Sequence, residues 1–177
     1  KNVSFQVRKG EILGIAGVIG SGRSELAKAL FGILPKSAGR ILIEGREVEI
    51  NNPQDAISQG MGFLPEDRAT EGIFPQMSVL ENLTVILVRT IALAAGMVVN
   101  RRGLKERFDA LASEFRIKFA DPYQRIVALS GGNQQKAVLA RALSTNCKVL
   151  ILSEPTRGVD VGAKAEIHRL MDDLAAK

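Results

Sequence analysis

The 177 residues contain no tryptophan, one tyrosine, one histidine and one cysteine. Each scarcity removes a class of function. A lone Cys147 cannot build a disulfide framework, and its place just before the apolar run Val149–Leu152 reads as a small core residue. The missing disulfides fit a reducing cytoplasm. Without tryptophan and with one tyrosine there is no base-stacking platform, so nucleic acid is not expected as a partner. No charge-free apolar run approaches the roughly 20 residues that span a bilayer. The most apolar segment, Val79–Val99, is interrupted by Glu81, Asn82 and Arg89. If a membrane is involved, another chain is expected to span it. No leader pattern, internal repeat or low-complexity linker is legible. The net charge of +5 suits nucleotide phosphates or an anionic membrane face, but the basic residues are scattered apart from Arg101, Arg102 and Lys105. A hydrophobic content of 46% is enough for one well-buried core, so one domain is expected.

What is present is organised around Gly17-Val-Ile-Gly-Ser-Gly-Arg-Ser24. An apolar run, Ile12–Ala16, precedes it, and a helical pattern, Ser24–Phe31, follows. Strand, glycine-rich loop and helix are the context of a phosphate-binding P-loop. Glycines let successive backbone N–H groups turn inward to an anion, and the helix N-terminus adds partial positive charge. Ser24 stands where a hydroxyl can hold Mg²⁺. Arg23 departs from the G-x-x-x-x-G-K-[ST] pattern, which has lysine there. A glycine-rich turn without a ligand is the competing reading.

Elsewhere the pattern predicts an edge strand at Val3–Val7 and a strand at Ile12–Ala16. A hairpin is predicted over 40–50, and a short helix from Asn52-Pro53 through Ser58 ended by Gly60. Met61–Leu64 reads as a buried strand. Ser78 and Glu81 read as a capping box for a helix through about Val88. Ala92–Gly96 has no clear pattern. Leu104, Phe108, Leu111 and Phe115 share one helical face and read as core. Leu129–Lys136 leads into a helix ending near Leu143, Lys148–Leu152 reads as a strand buried on both faces, and 162–176 as a last helix. Alternating strands and helices predict an α/β fold with a mostly parallel sheet core, a small antiparallel β part and a helical subdomain. The predicted boundaries are 1–77 with 144–177 for the core and about 78–143 for the helical part.

Two further stretches bear polar groups. In Leu129-Ser-Gly-Gly-Asn-Gln-Gln-Lys136 a hydroxyl and two glycines precede a helix, which suits either an anion site or a capped helix start. In Val149-Leu-Ile-Leu-Ser-Glu-Pro155 a strand ends in a polar pair, where ligands of parallel sheets sit. The position of the metal-holding aspartate in P-loop nucleotidases is Ser153, and Glu154 is placed to orient or deprotonate a water.

The order of these three elements resembles an ABC-transporter ATPase domain. Phe63–Arg68 (FLPEDR), Met77–Leu83 (MSVLENL), LSGGNQQK and Glu154–Lys164 (EPTRGVDVGAK) resemble the second ATPase half of bacterial monosaccharide importers of the ribose, galactose and xylose type. The resemblance covers essentially the whole chain, and arginine is usual in that second P-loop. It implies a P-loop NTPase fold that binds ATP and Mg²⁺. Gly17, Gly20, Ser21, Gly22, Arg23, Ser24 and Glu25 would form the nucleotide site, with Ser24 on the metal. Glu66 stands where most of the family has a glutamine touching Mg²⁺, water and the transmembrane partner. Ser130, Gly131, Gly132 and Gln134 would face ATP held by an opposite domain, and Asp160 would lie across that interface. Glu154 occupies the catalytic-base position.

The implied partners are a second ATPase domain, fused or in trans, and transmembrane permease subunits, with the sugar not bound directly. The implied place is the cytoplasmic face of the bacterial inner membrane, held peripherally. The family's adenine-stacking aromatic would precede Lys1 and its switch residue would follow Lys177, so a fragment is expected; His168 reads as a surface helix residue. Arg23, Ser153 and Glu66 depart from the wider family. Serine lacks the charge of a metal-holding carboxylate, and arginine replaces a compact ammonium with a planar fork. Two readings follow: a half that hydrolyses ATP, weakened by these changes, and a degenerate half that lends its LSGGNQ to the partner site. A non-transport ABC ATPase, for instance in repair or translation, fits less well, since no long coiled-coil insertion is present.

Overall fold

The computed structural model describes residues 3–18, 20–88, 92–93, 98–145 and 147–176. Helix α1, Arg23–Leu30, is built from strong helix formers, with Glu25 in its first turn and Lys28 in its last to match the macrodipole. It closes at Phe31 and a left-handed Gly32 (φ 75°), where a Cβ would lie 2.7 Å from the Asn52 carbonyl carbon. Strands β1 (Ile41–Ile43) and β2 (Arg46–Val48) form an antiparallel hairpin. Its two-residue loop, Glu44-Gly45, has φ of 53° and 77°, both positive as a type I′ turn requires. Helix α2, Pro53–Ser58, starts at Asn52, whose side chain accepts from the Asp55 amide. These elements bury Phe31, Ile50, Ala56 and Met61 as a small core, and Phe31 stacks on Phe63 at 5.1 Å between ring centroids.

Strand β3, Met61–Leu64, runs parallel to the strand Val149–Leu152, pairing Met61 with Val149 and Leu64 with Leu152. Helix α3, Val79–Thr84, carries the predicted Ser78–Glu81 capping box and continues as a 3₁₀ turn, Val85–Leu87, rather than as one helix to Val88. The Thr84 hydroxyl donates back to the Leu80 carbonyl at 2.8 Å, a bond that loosens a helix end. Strands β4 (Ala92–Leu93) and β5 (Val98–Val99) pair antiparallel; the rest of the unassigned 92–96 stretch lies outside the described residues. Asn100 caps α4, Arg101–Glu114, and Ser130 caps α5, Gly131–Leu143. Strand β6 is Val149–Leu152, and α6 is Val161–Ala175, capped by Asp160. Val79, Leu83, Phe108, Ile126 and Leu139, with Leu64 from β3, form the larger core between α3, α4 and α5. Burying each such side chain is worth roughly 1.5–3 kcal/mol. The predicted face of Leu104, Phe108, Leu111 and Phe115 is buried throughout.

Two predicted strands are not formed. Residues 3–7 and 12–16 carry no strand, and Val3, Phe5, Val7, Ile12, Leu13 and Ile15 are exposed. A strand needs a ladder partner for its N–H and C=O groups, and neither segment pairs with another strand among the described residues. Strand β6 is likewise half-buried, with Val149 exposed, not buried on both faces. Cys147 is partly buried, and burial pushes its thiol up from the usual value. His168 is exposed on α6. No described helix is long and apolar enough to cross a membrane.

Candidate functional site

The glycine-rich loop turns as its sequence demands. Gly20 and Gly22 are left-handed, with φ of 78° and 95°, and Gly22 hands the chain directly into α1. A Cβ at Gly17 would lie 2.6 Å from the Ser21 Oγ, so that position tolerates no side chain without a shift. The loop, Arg23, Ser24, Glu25 and Glu66 line a cavity of about 110 Å³. That volume suits a phosphate-sized group and not a whole nucleotide. Ser21 Oγ is buried there and has no hydrogen-bond partner among the described residues. An orphan buried hydroxyl is costly unless a ligand or water meets it.

Two carboxylates reach into this loop from elsewhere in the chain. Glu66, just past β3, accepts from Ser24 Oγ at 2.7 Å through one oxygen and from Arg157 Nη1 at 2.5 Å through the other. Glu154, just past β6, accepts from Arg23 Nη1 at 3.0 Å. Glu154 is left-handed at φ 48°, a conformation that side-chain-bearing residues seldom adopt. The parallel β3–β6 pair explains the convergence. Both strands point the same way, so their C-terminal ends deliver Glu66 and Glu154 to one edge, beside the start of α1.

The other predicted residues gather at a second place. Ser130, Gly132 and Asp160 line a separate concavity of about 200 Å³ together with Lys118, Asn133, Lys136 and Glu166. Ser130 Oγ accepts from the Asn133 amide and side chain, and Asp160 Oδ1 accepts from the Ala163 amide. Gln134 is committed inside the protein: its amide donates to the Leu129 carbonyl at 3.0 Å and accepts from Arg68 Nε at 3.2 Å. Lys136 is buried, donating to the Arg116 carbonyl and to Glu166 Oε2, each at 2.9 Å. The Lys136 hydrogen bond and charge hold the Glu166 carboxyl below the usual carboxylate value.

Reading residues by type missed three members of this arrangement. Arg68, Arg157 and Lys136 each sit inside a recognised stretch, but their residue types alone imply no role. A cation beside a carboxylate-rich loop was the available signal for the two arginines. Nothing in the local pattern marks Lys136, because its partner, Glu166, lies on α6, a distant stretch of sequence.

The ABC transporter family model matches residues 1–157. The chain is 49% identical over 176 residues to a putative ribose/galactose/methyl galactoside import ATP-binding protein 3 of Agrobacterium fabrum, covering 99% of this chain and 35% of that protein. It is 47% identical to a putative ribose/galactose/methyl galactoside import ATP-binding protein of Ralstonia nicotianae, covering 100% of this chain and 34% of that one. The chain thus spans about a third of the length of the curated relatives it matches. Among solved structures, cbiO1 of Clostridium perfringens, part of the ABC transporter complex cbiONQ, is similar with a TM-score of 0.78. Its identity is 25%, with 99% of this chain and 66% of that one covered.

Proposed function

The chain belongs to the ABC transporter family, and from that premise we propose that it is an ATP-binding part of a bacterial sugar importer, working on the cytoplasmic face of the inner membrane. The observation that carries the reading is the cavity at the glycine-rich loop, where the orphan Ser21 hydroxyl, Arg23 and Ser24 converge on space for a phosphate. The relatives named as ribose/galactose/methyl galactoside import proteins suggest the substrate class. The sugar itself would stay with the permease subunits.

In this reading Gly17, Gly20, Ser21, Gly22, Arg23, Ser24 and Glu25 hold the ATP phosphates. The donor set fits Mg²⁺: the Ser24 hydroxyl and the Glu66 carboxylate offer hard oxygens 2.7 Å apart. Held by these oxygens, Mg²⁺ would supply positive charge against the phosphates. Ser153 lacks a carboxylate, and Glu66 supplies one nearby, with Arg157 balancing its charge. Glu154 orients the attacking water and takes its proton. Ser130, Gly131 and Gly132 face the nucleotide of a second ATPase domain, fused or in trans, with Asp160 across that interface, while Gln134 acts by holding the turn that Ser130–Gly132 occupy. The segments 1–77 and 144–177 serve as the nucleotide-holding core, and about 78–143 as the helical part.

A second reading is favoured by one contact. Arg23 and Glu154 neutralise each other at 3.0 Å, which ties up the base and the loop's own cation together. This half would then bind ATP, turn it over slowly, and lend Ser130–Gly132 to the partner site. The test is binding of a fluorescent ATP analogue to the full-length protein with the other nucleotide site disabled. Saturable, Mg²⁺-enhanced binding that Gly20→Asp abolishes is the expected result. No binding at this loop overturns both readings.

A further inference from the structure

The side chain of Arg68 is spent on two segments that the sequence keeps far apart. It starts a π-helical turn, Arg68–Gly72, whose first amides are capped by Asp67. From there its guanidinium donates through Nη1 to the Arg157 carbonyl at 3.1 Å and through Nη2 to the Gly158 carbonyl at 3.0 Å. Its Nε donates to Gln134 Oε1 at 3.2 Å. Gln134 in turn holds the Leu129 carbonyl, next to Ser130. Arg157 answers in the opposite direction, its own guanidinium on Glu66, which also takes the Ser24 hydroxyl. The loop after β3 and the loop after β6 are thus laced by two arginines. The lacing runs without a gap from Ser24 to the turn before α5.

The glycines bear the imprint of this side chain. A Cβ at Gly131 would lie 2.6 Å from Arg68 Nη2 and 3.1 Å from the Gly158 carbonyl oxygen. A Cβ at Gly158, itself left-handed at φ 67°, would lie 3.2 Å from Arg68 Nη1. Gly131 is therefore bare at least partly to let a guanidinium pass, and not solely to admit a phosphate. Three acceptors at fixed angles suit a planar fork and do not suit a point ammonium.

We propose that Arg68 is a positioning residue for the Ser130–Gly132 turn, setting that turn against the Arg157–Gly158 loop and, through Arg157, against Glu66 at the glycine-rich loop. The inference rests on the function proposed above, since it concerns the site that Ser130–Gly132 would complete in a second domain. It touches no phosphate itself and works only through the segments it holds.

The experiment uses the full-length protein and a double-mutant cycle. Arg68→Lys is expected to lower kcat at the site completed by Ser130–Gly132 about tenfold, with KM and the nucleotide affinity of the Gly17–Ser24 loop within about twofold of the parent. Gly131→Ala is expected to lower kcat strongly beside Arg68 and distinctly less in an Arg68→Ser background, where the obstructing guanidinium is gone. Equal losses in the two backgrounds overturn the proposal, as does full kcat in Arg68→Lys. A parent protein without any ATP turnover overturns the proposed function instead. The same cycle read on melting temperature then still decides the role of Arg68: non-additive shifts support it and additive shifts sink it.

Discussion

Arg23 Nη1 lies 3.0 Å from Glu154 Oε1, joining the first residue of α1 to the residue two past the end of β6. Both side chains are partly exposed, at 33% and 45%. The pair therefore contributes modest stability, no more than about 1 kcal/mol after solvent screening. Its importance is positional. An anion entering the loop competes with Glu154 for Arg23, and a water approaching Glu154 competes with Arg23 for the carboxylate.

Glu154→Gln is accordingly expected to tighten nucleotide at this loop. The amide keeps a weak acceptor but gives up the charge that draws Arg23 away. Releasing an exposed pair worth about 0.5–1 kcal/mol corresponds to a gain of roughly twofold to fivefold in affinity. The measurement is titration with a non-hydrolysable ATP analogue, which keeps slowed turnover from imitating tighter binding. Unchanged affinity would mean that Arg23 already faces the phosphate when nucleotide arrives.

Glu66 is expected to carry the metal dependence. With Ser153 neutral, Glu66→Gln removes the carboxylate beside Ser24 and leaves Arg157 facing an amide. Losing one charge-assisted contact costs roughly 1.5–3 kcal/mol, or about a tenfold to hundredfold weaker Mg²⁺ response. Adding Ser153→Asp to Glu66→Gln should return part of it. A Mg²⁺ titration of analogue binding reads both; curves that overlay the parent would remove Glu66 from the metal.

The elements legible in the sequence were those with local causes. The Ser78–Glu81 capping box, the Asn52-Pro53 helix start and the Glu44-Gly45 hairpin turn each depend on residues a few positions apart. So does the run of left-handed glycines at 20 and 22. What was not legible needed partners from afar. Apolar alternation at 3–7 and 12–16 predicted strands, but pairing, not alternation, makes a strand, and no ladder forms there among the described residues. The site shows the same division. The residues of the glycine-rich loop could be named from their order, whereas the Arg68 and Arg157 lacing joins loops that α3, α4 and α5 separate along the chain.

Acid should loosen the joint between α5 and α6. Lys136 is 7% exposed and holds Glu166, whose carboxyl lies below its ordinary value because of the Lys136 hydrogen bond first and its charge second. A lowered carboxylate contributes stability that is complete above its unfolded value and is lost as pH falls through the folded one. The loss should therefore begin below about pH 4.5, the ordinary value for glutamate. Glu166 is more than half exposed, so the contribution is held to under about 1 kcal/mol. Melting curves from pH 7 to pH 3 should converge for the parent and Glu166→Gln at the acid end and separate above it. Parallel curves throughout would show that the pair adds no pH dependence.

Gly132 offers a way to separate packing from ligand contact in the turn before α5. A Cβ added there would lie 2.6 Å from the Ala163 Cβ and 3.9 Å from Asp160 Oδ2. Carbon atoms do not approach so closely, and Ala163 has no rotamer by which to yield. The first turn of α6 must therefore move, taking with it the Asp160 cap, which accepts from the Ala163 amide. Overpacking of this kind costs about 1–3 kcal/mol, and Gly132→Ala should lower the melting temperature accordingly. Ala163→Gly removes the opposing methyl group at a propensity cost of up to about 1 kcal/mol. The double variant should thus recover much of the stability lost by Gly132→Ala alone. Activity then carries the discriminating information. If ATP turnover returns with stability, the glycine serves the α5–α6 contact. If stability returns while turnover stays low, Gly132 is bare for the nucleotide of the opposite domain. A double variant no more stable than Gly132→Ala would contradict the packing argument, because the one close obstacle to the new methyl group among the described residues would already have been removed.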